Sequence, residues 1–228
     1  MKNYLCEQYL FYPTNVRGKK VGRLNMPFAL SDHTREAVEH HFRRKKLIWT
    51  ESYFLQVLAN SASKHDIYWA VLALRDCGTS NAIPALKEKL FYPMQDVKCC
   101  SILTIAHIAK SDETQFYAEL LASPEYKDKG YAMWAIKDAA DSRAIDSVLA
   151  YFKKNRGKLK SGKLTNGTLV DGLEYLQKYL GENEAINSFF SEVKGFFGNL
   201  AQGERSEIAK RVCYFSTLLN NAQPGIQA

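Results

Sequence analysis

The sequence predicts an all-α solenoid, a superhelix of four to five helix pairs with a period of 31 residues. A short irregular or hairpin arm precedes the stack, and a C-terminal capping helix closes it. Three observations carry this reading. Residues 70–90 (AVLALRDCGTSNAIPALKEKL), 101–121 (SILTIAHIAKSDETQFYAELL) and 132–152 (AMWAIKDAADSRAIDSVLAYF) align without a gap at a shift of 31. The columns agree in kind: Val71, Ile102 and Met133; Leu74, Ile105 and Ile136; Cys77, Ile108 and Ala139; Leu86, Tyr117 and Val148; Leu90, Leu121 and Phe152. Within each copy the apolar positions fall three and four residues apart, broken once by a turn, which is the pattern of two amphipathic helices. Units of this size cannot bury their apolar faces alone and must stack.

Each element follows from local signals. Residues 1–30 carry no helical period; VRGKKVGRLNM has turn residues and alternating apolar positions, as expected of the arm. One repeat domain is expected over 31–221. Its earliest pair places a first helix at 34–44 and a second at 50–60, because Leu55 lies one period before Leu86. In the first clear copy, positions 70, 71, 74, 77 and 78 form the stripe of a helix, residues 78–81 break it, and residues 82–90 form its partner. Pro84 falls in the first turn of that partner, where a backbone N–H has no intrahelical acceptor to lose. In the second copy, Asp112 with Gln115 three residues on resembles a capping box. Small residues at Ala70, Ser101 and Ala132, and at Gly78, Ala109 and Ala140, let neighbouring backbones approach closely. In a fourth copy Gly181, Ala185, Ile186, Phe189 and Val193 repeat Ala140, Ala144, Ile145, Val148 and Phe152 at a shift of 41, so ten extra residues enter before it. They coincide with the basic stretch KKNRGKLKSGKLTNG, which is expected to form an insertion loop, 153–167, on one edge of the stack. Residues 203–219 make a final amphipathic helix, and 222–228 a tail.

This pattern resembles HEAT repeats, in particular the short HEAT-like repeats of phycobilisome lyase-type proteins, which belong with the armadillo-like solenoids. The residues that carry it are Pro93 with Val97 and Lys98 opening the next helix, and Leu74…Gly78…Ala82-Ile83-Pro84…Leu86. Copy three keeps Pro124 and Lys129 but has Asp128 where valine is expected. The resemblance covers roughly residues 50–193 and speaks to architecture, hardly to activity. It also sorts a repeated tetrapeptide. LFYP occurs at 10–13 and at 90–93, 80 residues apart, which is no multiple of the period. The second copy is read as a helix end and turn between units, the first as coincidence in the arm.

Apolar residues make up 46% of the chain and charged residues 24%, the balance of an ordinary folded domain, not a disordered one. No secretory pattern and no apolar run long enough to span a bilayer is present, so membrane insertion is not expected and a cytoplasmic location is. The five cysteines show no C-x-x-C spacing, and most are read as small buried hydrophobes in a reducing compartment. His33, Glu36, His40 and His41 lie close in sequence, but not in the H-E-x-x-H order, and no metal or other cofactor is expected. Neither a nucleophile motif nor a phosphate-binding loop is found, so no catalytic residue is assigned.

Net charge is +7, and three clusters hold much of it. They are Arg17, Lys19, Lys20 and Arg23; Arg43, Arg44, Lys45 and Lys46; and Lys153, Lys154, Arg156, Lys158, Lys160 and Lys163. An acidic partner is the natural complement. The expected function is non-catalytic protein binding, as an adaptor or a specific binder or inhibitor of a partner protein, including a bacterial toxin-immunity role. The alternative is nucleic-acid binding. Trp134 and Asp138, one helical turn apart, are similar to the aromatic surface and carboxylate that HEAT-like alkylpurine DNA glycosylases place in a groove. Trp134 nevertheless shares a column with Leu72 and Leu103, which argues for packing.

Overall fold

In the computed structural model, which describes residues 10–11, 23–24, 32–45, 47–164 and 167–217, regular structure is almost entirely helical. Strands β1 (Leu10–Phe11) and β2 (Arg23–Leu24) pair antiparallel, Leu10 opposite Leu24, within the predicted arm. The two LFYP copies therefore sit in different structure, the first opening in β1 and the second in a 3₁₀ turn. The chain divides into two compact units, Met1–Lys110 and Ser111–Ala228.

The first unit holds α1 (Asp32–Phe42), α2 (Glu51–Asn60), α3 (Lys64–Cys77), α4 (Ile83–Glu88) and α5 (Gln95–Ala109). Local chemistry sets several ends. Thr50 caps α2 by accepting from the Tyr53 amide at 3.3 Å, and Ser63 caps α3 by accepting from the Asp66 amide at 3.2 Å. Pro84 lies in the first turn of α4, as its missing N–H dictates. Helices α1 and α5 pack on α3, and α4 packs on α2 and α5. First helices and second helices therefore form two layers.

The predicted stripe on α3 is too narrow. Residues 66–75 are buried on every side, and so are 99–106 of α5. For α3 the reason is position: it touches α1 and α5 as well as α2. The second-layer helices keep a clear outer face; α2, for example, buries Phe54 and Leu58 alone.

The second unit holds α6 (Thr114–Ala122), α7 (Lys129–Ala139), α8 (Ile145–Lys154), α9 (Arg156–Lys160), α10 (Thr168–Leu176), α11 (Glu184–Phe196) and α12 (Gln202–Arg211). Here α10 packs between α7 and α12, while α8 packs on α6 and α11. Helix α12 thus takes the place of a first helix without a second, which suits a cap. It stops at Arg211; a 3₁₀ turn at Cys213–Phe215 follows, so the continuous helix expected over 203–219 is broken at Val212. Gln177 holds this end from both sides, donating to the Arg211 carbonyl and accepting from the Cys213 amide, each at 3.0 Å.

The capping box does not form. A 3₁₀ turn occupies Lys110–Glu113, α6 begins without a side-chain cap, and Gln115 instead donates to Glu119 at 3.2 Å. A different device recurs at the turns. In the first unit the Thr79 amide donates to Glu51 at 2.6 Å; in the second, the Asp141 amide donates to the Thr114 hydroxyl at 3.2 Å. Thr79 and Asp141 share one column, two periods apart, so each turn is pinned to the second helix of the pair before it.

Candidate functional site

Of the first basic cluster, Arg17, Lys19 and Lys20 lie outside the described residues, and Arg23 lies in β2. Lys46 of the second cluster is also outside them. Arg43, Arg44 and Lys45 form an exposed 3₁₀ turn at the end of α1. Lys45 is engaged: its ammonium pairs with Asp66, whose other oxygen lies 2.8 Å from His41 Nε2, and Ser61 donates to the same carboxylate at 3.2 Å. This cluster ties the end of α1 to the start of α3. Burial pushes the Asp66 carboxyl up, but hydrogen bonds from Lys45 and His41 and the lysine charge outweigh it and hold the group at about 2. Burial pulls His41 below its ordinary range despite Asp66, which keeps its imidazole neutral at physiological pH.

A stability consequence follows from the sign of the Asp66 shift. A carboxyl held below its unfolded value stabilises above that value, and the contribution is lost as pH falls toward 2. Asp66→Asn is expected to cost about 1–2 kcal/mol at neutral pH, reduced by the half-exposure of Lys45. In urea unfolding the gap between wild type and D66N should narrow as pH falls from about 4 to about 2. A gap that stays constant would place the loss in packing.

The third cluster is built into ordered structure. Lys153 and Lys154 end α8, Arg156, Lys158 and Lys160 lie on α9, and Lys163 follows; all are exposed. Leu159 at 1% exposure and Leu164 at 7% anchor the segment. Its C-terminus is a Schellman motif: Gly162, at φ +64°, donates to the Leu159 carbonyl at 3.1 Å, and Lys163 donates to Lys158 at 2.8 Å. A Cβ on Gly162 would come within 3.2 Å of the Asn199 carbonyl, so glycine suits both the dihedral and the space. Glu192 of α11 accepts from Arg156 Nε at 2.5 Å and stands 3.6 Å from Lys160 Nζ. What the sequence presents as a basic insertion is thus a short, capped helix pinned on one side.

Trp134 and Asp138 lie together on α7. Trp134 is 6% exposed, like Leu103 in its column, and stacks on Tyr131 with ring centres 6.1 Å apart. Asp138 lies 2.8 Å from Lys137 Nζ; burial raises its carboxyl, and the lysine pulls it back. Beside them is a buried network with no local sequence signature. Arg211 Nη2 lies 2.7 Å from Asp171, its Nε donates to Glu174 at 2.6 Å, and Lys137 Nζ stands 4.0 Å from Asp171. The one available clue was a charge inside an apolar run, Asp171 in TLVDGL.

The first unit holds a match to a known repeat. Residues 67–92 match the family model of the PBS lyase HEAT-like repeat. This helix pair is a HEAT-like repeat. The repeat runs from α3 through α4 to the turn after it, where Leu90 is buried and Phe91 is 63% exposed. No curated protein and no solved structure matches the chain. Among the described residues no three His, Cys, Asp or Glu side chains are grouped to hold a metal, and no helix is long and apolar enough to cross a membrane. His41 is turned to Asp66, His40 is exposed, and the His33 side chain lies outside the description.

Proposed function

We propose that the chain is a non-catalytic protein-binding module of HEAT-like repeats, acting as an adaptor or as a specific inhibitor of a partner with an acidic surface, the immunity protein of a toxin included. One observation carries the reading. The buried charges Asp66, Lys137 and Asp171 are paired within the fold, whereas Arg43, Arg44 and the cations of residues 153–163 face outward. Stacked helix pairs offer extended surfaces, and surface charge steers and selects partners. A cytoplasmic partner is the simplest case.

Affinity capture at low and at raised salt tests this, with R43E/R44E/K153E/K154E as the matched control. The expected result is a specific acidic protein retained by wild type and released both by salt and by charge reversal. Retention of duplex DNA alone, with affinity falling steeply as salt rises, would overturn it in favour of the nucleic-acid alternative.

A further inference from the structure

We propose that α9 and its flanking lysines, rather than the Arg43–Lys45 turn, form the ridge that grips an acidic polypeptide segment, and that Glu192 competes for this ridge from within the fold. The inference rests on the protein-binding reading above and assigns it to one element. Lys153, Lys154, Lys158 and Lys163 are exposed and have no ion pair among the described residues. Their backbone is already ordered by Leu159, Leu164 and the Schellman cap, so a ligand does not have to order it on binding.

Glu192 shows what chemistry fits. A single carboxylate reaches both Arg156 and Lys160, four residues apart on one face of α9. Lys158 lies on the opposite side of the same helix. With Lys154 and Lys163 it offers equivalent ammonium groups to an outside carboxylate. Glu192 at the same time lowers the positive potential of the ridge.

Residue type separates an acidic protein from a nucleic acid. Arginine's planar fork is the better reader of phosphate, and the one arginine of the segment is committed to Glu192. Residues 153–164 contain no aromatic side chain, so the ridge lacks a platform on which bases could stack. The competing cluster is weaker on the same terms. Lys45 is committed to Asp66, and Arg43 and Arg44 sit at the end of α1, where cations already complement the helix C-terminus.

Fluorescence anisotropy with a labelled oligoglutamate peptide, in low and in physiological salt, tests the assignment on the full chain. K154E/K158E/K163E is expected to weaken binding on the order of tenfold or more, and R43E/R44E to change it by less than about twofold. E192Q should strengthen it roughly two- to fivefold, a gain that a damaged fold does not produce. L159A keeps every lysine yet should weaken binding several-fold by loosening the ridge, with its melting curve recorded alongside. If R43E/R44E costs as much as the triple reversal, or E192Q gains nothing, the assignment to α9 fails while protein binding stands. If wild type binds no peptide at low salt, or binds duplex DNA more tightly than peptide, the protein-binding reading fails with it.

Discussion

Arg211→Ala is expected to lower the unfolding free energy by about 3–4 kcal/mol at neutral pH, and by progressively less as the pH falls. Asp171 is the reason. Its side chain is 6% exposed on α10, and Arg211 at the end of α12 meets it at 2.7 Å while also engaging Glu174. Burial pushes the Asp171 carboxyl above its ordinary range, and Lys137 and Arg211 pull it back only in part. Because the folded value lies above the unfolded one, Asp171 contributes stability at low pH and loses it as pH rises through the folded value. Removing Arg211 moves that value further up. The cost is therefore greatest where the carboxylate must stay ionised and shrinks once it is protonated. Urea unfolding at several pH values checks this, and R211A/D171N should recover part of the loss at neutral pH. A loss independent of pH, unrelieved in the double variant, would assign it to the packing of the arginine stem. Hydrogen exchange should loosen first in α12, which the pair holds to α10.

This network marks where sequence reading stops. The columns Val71, Ile102 and Met133 and Leu74, Ile105 and Ile136 are read from period alone, and all are fully buried or nearly so. The period works because each copy repeats the same packing problem. Arg211 and Asp171 lie 40 residues apart, and His41 and Asp66 lie 25 apart; neither separation is a multiple of the period. Each pair is made once, by one junction, and leaves no column to align. The same holds for the insertion: its lysines are plain in the sequence, but Leu159 alone gives no periodicity from which to infer α9. Asp112 and Gln115 err in the other direction. They carry the composition of a cap, yet the Lys110–Glu113 turn changes the backbone on which a cap depends.

Gly172 ties a departure in one column to a residue in the next helix pair. Leu90 and Leu121 become Phe152 in the third copy, and the larger ring has to go somewhere. A Cβ built on Gly172 would stand 2.4 Å from Phe152 Cζ, 2.6 Å from Cε2 and 3.3 Å from Met133 Sδ. Both neighbours are fully buried, and Phe152 is further fixed by stacking on Phe189 at 4.9 Å, so the ring cannot step aside freely. Helix propensity by itself favours alanine over glycine by about 1 kcal/mol. Here overpacking, typically about 1–3 kcal/mol and more for a branched residue, opposes it. Gly172→Ala is therefore expected to destabilise despite its better propensity, and Gly172→Val to cost about 3 kcal/mol or more. Restoring leucine to the column makes the room that alanine needs. F152L/G172A should thus unfold at higher urea than G172A alone, the sign of a shared site. If F152L and G172A instead lower stability additively, glycine serves the α10 backbone itself, and the enlarged ring of Phe152 has been accommodated elsewhere.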